Sequence, residues 1–208
     1  MLELSGFYAV LDRDDPQLAR DLVGPGGARV LQIRLKPGDA RDQLALARVA
    51  RTICDAAGAL LIVNDRIDVA LAAGADGVHL GQTDLPLADA RRIAPKLIIG
   101  VSTHDVAQVQ AAVAGGADYL GFGPIFATRT KVNPDPVQGI EGLRAAVAVA
   151  REIPIVAIGG IQPQMAAAVY GAGAAAICAI SAVNDAQHPV VVAKSFTATR
   201  PTKRPLNE

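Results

Sequence analysis

The sequence is poor in cysteine, carries no surplus of charge of either sign and contains no long unbroken apolar run, and each shortage narrows the range of functions. Cys54 and Cys178 are the only cysteines, far apart and without metal-ligand spacing, so a reducing cytoplasm is the expected setting and a thiolate metal site is not expected. Cys178 falls in the apolar run "AAAICAIS" and reads as a small core residue rather than a reactive thiol. Twenty Lys and Arg balance twenty Asp and Glu, which removes the general basic field that drives nucleic-acid binding; any anion site must be local. No apolar stretch reaches membrane-spanning length without a charge, a glycine turn or a proline, and the N-terminus shows no charged segment leading into an apolar signal core. A soluble protein with neither membrane nor nucleic acid as partner is expected.

What is present is a repeat. The 208 residues are 51% apolar, enough for one core, and short apolar runs ending in Gly, Asn, Asp or Ser alternate with alanine-rich helical stretches. Strands are expected at residues 7–12, 30–35, 59–65, 77–81, 97–102, 118–123, 155–160 and 175–181. The recurring "AAGAD", "AGGAD" and "GAGAA" mark helix ends that lead into a new strand, and Gly58 stops the helix in "DQLALARVARTICDAAG". Eight β-α units in about 200 residues predict an α/β fold: a single-domain (β/α)8 TIM barrel over residues 1–197, in preference to an open doubly wound sheet. "HPVVVAKSF" reads as a closing helix, and the proline-rich, basic segment 198–208 as a disordered tail.

In such a barrel the chemistry belongs at the C-terminal strand ends. Gln32, Arg34 and Lys36 alternate with Ile33 and Leu35, so period-two geometry puts all three on one face, inside the barrel mouth, where cations need an anionic partner or water. Asn64 and Asp65 close the third strand; either could simply cap the next helix, but Asp65 could also meet Asp84 of "QTDLP" across adjacent loops. Two such oxygen ligands with positions left for water and phosphate suit Mg²⁺. Ser102, Thr103 and His104 close the fifth strand in "GVSTHD", where any of them could cap a helix, and His104, like His79 in "GVHLG", reads as a structural histidine rather than a base. Gly159 and Gly160 after the seventh strand, and Ile180 and Ser181 at the eighth, offer backbone N–H groups where barrels commonly hold phosphate.

The stretch "GFGPIFATRTK" ends the sixth strand. Glycines admit close backbone approach, Thr128 and Thr130 add hydroxyls and Lys131 adds charge, so it reads as an anion cradle or, more blandly, as a solvated turn. It does not match a Walker A loop. Residues 132–138, with Pro134 and Pro136, are long enough for a lid, with Gly139 opening the next helix. Two anion sites and a possible metal suggest the joining of two phosphorylated molecules.

Taken in order, "QIRLK", "VNDR", "GVHLGQTD", "GVSTH", "GFGPIFATRTK", "AIGGI" and "AISAV" resemble the motifs of the thiamine phosphate synthase family, over residues 7–196. The resemblance implies a magnesium-dependent transferase that joins 4-amino-2-methyl-5-hydroxymethylpyrimidine diphosphate to a thiazole phosphate and releases diphosphate by dissociative displacement at the pyrimidine methylene. It implies that Gln32, Arg34, Lys36, Asn64 and Lys131 hold the diphosphate and that Ser102 lies beside the pyrimidine. Asp65 and Asp84 would hold Mg²⁺, and Thr128, Thr130, Gly160, Ile180 and Ser181 the thiazole phosphate; Arg34, Lys36, Lys131 and Ser102 are the expected catalytic residues. Thr83 departs from the glutamate that the family often has before the second aspartate. A related thiazole tautomerase shares the barrel and a histidine in the "GVSTH" position, but it would not need the diphosphate cluster or both aspartates. A silent barrel that senses thiazole phosphate would bind without metal-dependent turnover.

Overall fold

Alternation within each short run decides the architecture. Phe7, Ala9 and Leu11 belong to the large core under the helices, whereas Tyr8 and Val10 belong to a second cluster with Val30, Ile62, Tyr119, Val156, Ala176 and Cys178. Such strands are buried on both faces, which suits a parallel sheet that wraps around one core and is covered by helices outside. The computed structural model, which describes residues 4–36, 38–128 and 135–199, has that form. Its strands are β1 (Gly6–Leu11), β2 (Val30–Ile33), β3 (Leu60–Asn64), β4 (Gly77–Leu80), β5 (Ile98–Thr103), β6 (Tyr119–Phe122), β7 (Ile155–Ile158) and β8 (Ala176–Cys178). They run parallel in chain order and close into a barrel where β8 pairs with β1 through Gly6↔Ala176 and Phe7↔Ile177.

The helices among the described residues are α1 (Pro16–Val23), α2 (Ala40–Ala57), α3 (Ile67–Ala73), α4 (Leu87–Ile93), α5 (Val106–Ala114), α6 (Gly139–Ala150), α7 (Ala166–Gly171), α8 (Ile180–Asn184) and α9 (Pro189–Ala198). Asp15, Asp39 and Asp105 cap α1, α2 and α5 by accepting from Leu18, Arg41 and Gln108 N–H groups at 2.8–2.9 Å. Gly58 and Gly74, with φ of 64° and 65°, end α2 and α3 in the left-handed conformation that glycine takes without steric cost. The repeated "GAD" has one structural use in both copies. Asp76 accepts from Leu61 N (2.7 Å) and pairs with Arg51, and Asp118 accepts from Ile99 N (2.8 Å) and pairs with Arg91, so each ties a strand start to a helix at the end of the barrel opposite the mouth.

Several expected element ends shift. The eighth strand stops at Cys178 instead of Ser181, because Ile180 and Ser181 open the short helix α8, whose Asn184 amide donates to Val10 O (2.8 Å) and Asp12 Oδ1 (2.9 Å) over the end of β1. The second strand is formally shorter than expected, although its ladder continues through Arg34 N, which donates to Leu11 O at 2.8 Å. The closing helix α9 stacks Phe196 on Phe7 with ring centroids 5.7 Å apart and reaches Ala198, one residue beyond the expected domain end; residues 200–208 lie outside the described residues.

The interior has room for the Tyr119 ring because the neighbouring strand has no side chain beside it. A Cβ on Gly100 of β5 would collide with the buried Tyr119 ring of β6. Gly100→Ala is therefore expected to destabilise the fold by about 1–3 kcal/mol through overpacking, read as a lower urea midpoint with unchanged slope.

Candidate active site

The inward parity of each strand carries one set of side chains to the barrel mouth. Gln32, Arg34 and Lys36 share the parity of Val30, Asn64 that of Ile62, and Ser102 that of Gly100; all except Val30, Ile62 and Gly100 line a cavity of about 450 Å³ at the C-terminal strand ends. Asp65, Asp84, Thr128, Gly160, Ile180 and Ser181 line it too, so the strand-end residues expected to act together are brought together. Thr130 and Lys131 lie outside the described residues, as do residues 132–134 of the segment expected to act as a lid. A groove of about 530 Å³ outside the barrel, between α1 and α2, is lined mainly by Val23, Val49, Ile53, Ala56 and Ala57, with one cation and no carboxylate. Convergent polar groups, not size, mark the mouth as the site.

The charged rim is assembled from three loops. Lys36 Nζ stands 2.5 Å from Asp65 Oδ2, and Asp65 hydrogen-bonds the Asp84 carboxyl. Asp65 takes a left-handed φ of 61°, which aspartate tolerates better than most residues and which turns the chain sharply after β3. Asp84 folds back so that its Oδ2 accepts from Gly81 N at 2.6 Å; burial, and next its hydrogen bond with Asp65, raises its carboxyl above the ordinary value. Among the described residues no third His, Cys, Asp or Glu joins this pair into a metal cluster. Two carboxylates facing an open cavity fit a cation such as Mg²⁺ that takes its remaining ligands from water and substrate phosphate.

Opposite this corner, the loop after β6 lies along the end of β7. Ile125 N and Phe126 N donate to Ile158 O and Gly159 O at 2.9 Å, which explains the two glycines: a Cβ on Gly159 would meet Pro124, and one on Gly160 would meet Ala127 O. Their φ values of 98° and 65° likewise demand glycine. Gln138 N and Gly139 N return to Pro124 O and Ile125 O, so both ends of the loop that contains Thr128 are anchored. His104, read from sequence as structural, donates Nδ1–H to Gly123 O at 2.6 Å and sets Nε2 3.4 Å from the Asp135 carboxylate on the returning limb.

Beneath the rim lies a floor that a reading of strand ends alone misses. Tyr8 of β1, Tyr119 of β6 and His79 of β4 line the cavity one step deeper than the strand-end residues. Gln32 Nε2 donates to Tyr8 Oη (2.9 Å), Tyr8 Oη lies 2.8 Å from Tyr119 Oη, Tyr119 Oη 3.0 Å from His79 Nδ1, and His79 Nε2 2.9 Å from Ser102 Oγ. Burial pushes both phenols well above their ordinary range and pulls His79 down to about 4, against a smaller pull upward from Asp65. The floor is thus uncharged at neutral pH while the rim is densely charged. Cys178 belongs to this floor, and burial pushes its thiol up to about 12, so it is a packing residue, as its apolar surroundings in sequence imply.

A closed barrel whose mouth gathers cations, paired carboxylates and glycine-rich turns above a polar floor belongs to the class of (β/α)8 enzymes that act on small molecules at the strand ends. The family model described as thiamine monophosphate synthase matches residues 7–183, and the chain belongs to that family. It is 46% identical over 198 residues to the thiamine-phosphate synthase of Anaeromyxobacter dehalogenans, covering 94% of this chain and 87% of the relative. It is 43% identical over 203 residues to that of Laribacter hongkongensis, covering 93% and 94%. Among solved structures, thiamine phosphate pyrophosphorylase from Pyrococcus furiosus superposes with a TM-score of 0.87 at 37% identity over 95% of both chains. A 3-hexulose-6-phosphate synthase, at 21% identity and a TM-score of 0.70, shares the fold. The protein is an enzyme of the thiamine phosphate synthase type, a transferase of thiamine biosynthesis.

His79 makes stability depend on pH. Its folded form resists protonation down to about pH 4, whereas the unfolded chain takes up that proton near pH 6.5, so the unfolded state binds more protons between these values. Stability is fully present above pH 6.5 and declines as pH falls through that window. Urea unfolding at pH 7 and pH 5 should differ by about 1–2 kcal/mol more in the parent than in His79→Gln; equal pH dependence in both proteins would show that His79 is not the linked group.

Proposed function

We propose that this enzyme joins 4-amino-2-methyl-5-hydroxymethylpyrimidine diphosphate to a thiazole phosphate, with Mg²⁺, by a dissociative displacement. The observation that carries the reading is the corner in which Lys36, Asp65 and Asp84 meet beside Arg34 and Asn64, over an uncharged floor. Gln32, Arg34, Lys36 and Asn64, with Lys131, hold the diphosphate, and Ser102 contacts the pyrimidine. Asp65 and Asp84 would hold Mg²⁺, which when bound supplies positive charge to the leaving oxygens. Thr128, Thr130, Gly160, Ile180 and Ser181 hold the phosphate of the thiazole.

Among the described residues the site has cations and no activated nucleophile, and the chemistry needs none. An aminopyrimidine delocalises positive charge from its exocyclic methylene, so the C–O bond breaks with its electron pair leaving on diphosphate. The thiazole nitrogen then supplies its lone pair to the same carbon, and no proton is removed. Arg34 and Lys36 stabilise the charge that grows on the departing oxygens, where a single preorganised donor is typically worth about a hundredfold or more in rate. The neutral Tyr8, Tyr119 and His79 floor places no repelling charge under the ring that becomes cationic. Balanced charge overall and small-molecule substrates fit a cytoplasmic biosynthetic enzyme.

Purified protein mixed with both substrates and Mg²⁺ should release diphosphate and form thiamine phosphate, identified by mass spectrometry, with neither appearing when the metal is chelated. Asp65→Ala should lower kcat/KM by at least about a hundredfold while thiazole phosphate binding stays within about twofold. Equal loss of turnover and of thiazole phosphate binding would remove Asp65 from a metal role. A folded protein that binds thiazole phosphate without any metal-dependent product would favour the tautomerase or sensor readings.

A further inference from the structure

We propose that Gln32, Tyr8, Tyr119 and His79 form a one-way hydrogen-bond relay that holds the Ser102 hydroxyl as a donor toward the cavity, so that Ser102 reads an acceptor nitrogen on the bound heterocycle. The direction follows from counting hydrogens. Gln32 Nε2 only donates, and it donates to Tyr8 Oη. The hydroxyl hydrogen of Tyr8 has one further partner, Tyr119 Oη, and must go there. Tyr119 then has its own hydrogen left for His79 Nδ1, which makes Nδ1 an acceptor and places the imidazole hydrogen on Nε2, facing Ser102 Oγ. Ser102 therefore accepts from His79, and among the described residues no other side chain takes its hydrogen. The reverse direction would bury the Tyr8 hydroxyl hydrogen against a donor, which burial makes costly.

The surroundings are shaped to hold this chain. The relay members sit on β1, β2, β4, β5 and β6, so it spans the lumen and fixes one geometry across five strands. Gly100 leaves the space that the Tyr119 ring fills, and a Cβ on Gly121 would stand 3.1 Å from His79 Cε1 and 3.3 Å from Nε2. Both ends, Gln32 and Ser102, line the cavity, so a ligand ring touching both meets a fixed polarity. Tyr8, Tyr119 and His79 are positioning residues that act through Ser102. Only the identity of the heterocycle, the aminopyrimidine, rests on the proposed synthase reaction.

The relay is tested first without turnover, by ¹⁵N NMR of the imidazole of His79 in the full chain, assigned by its loss in His79→Gln from among the three histidines. The expected result is a neutral ring with Nε2 protonated and Nδ1 bare. The Nδ1–H tautomer, or an imidazolium at pH 7, would overturn the proposal whether or not the protein is a synthase. In the turnover assay Tyr119→Phe should raise KM for the pyrimidine diphosphate by about 3- to 10-fold, the worth of one neutral hydrogen bond. KM for thiazole phosphate should stay within about twofold, and adding Tyr119→Phe to Ser102→Ala should cause no further loss. Additive losses, or equal effects on both substrates, would make Tyr119 merely structural; should Tyr119→Phe fail to fold, Tyr8→Phe breaks the same chain one link away and is read identically.

Discussion

Closing eight parallel strands into one ring is the constraint on which everything else in this molecule depends. Once β8 meets β1 there is no free edge, and each side chain must point either to the helices or into a narrow lumen. Apolar residues satisfy the outer parity from Phe7 to Ile177. The inner parity is graded: Val30 and Ile62 lie deep, the Tyr8, Tyr119 and His79 floor comes next, and Arg34, Lys36 and Asn64 sit at the rim. The active site is the upper end of the same columns of side chains that fill the barrel.

That grading separates two electrostatic tasks. Charged groups at the rim stay near water and near one another, as Lys36 and Asp65 do, so an anionic ligand can replace solvent without leaving bare charges behind. In the floor Tyr8, Tyr119 and Cys178 are buried and His79 is half-buried against them, and desolvation keeps the phenols, the thiol and His79 uncharged. Each buried hydroxyl then needs a partner, and the partners chosen are one another. The same low-dielectric surroundings that penalise an unpaired hydroxyl make the linked set rigid, which is what a binding surface requires.

Much of this was legible from sequence because the signals are local. Eight apolar runs with glycine-marked helix ends are enough to count strands, and the alternation Gln32, Arg34, Lys36 is enough to place three side chains in the mouth. The approach of Asp65 to Asp84 also followed from adjacent loops. Less legible was whatever depends on pairing at a distance. Ser181 falls in a helix because Asn184 ties that segment over β1, a contact 174 residues away in sequence. His79 reads from sequence only as a structural histidine since its partners, Tyr119 and Ser102, lie on two other strands. A search for polar residues one step below each strand end would have found Tyr8, His79 and Tyr119 together.

The proposed reaction requires the Lys36, Asp65 and Asp84 corner to be a metal-dependent diphosphate site. The most direct measurement is calorimetric titration of inorganic diphosphate into the protein with Mg²⁺ and with chelator. The expected result is binding that requires Mg²⁺ and disappears in Asp84→Ala. Binding of equal strength in chelator, or unaffected by loss of Asp84, would contradict it.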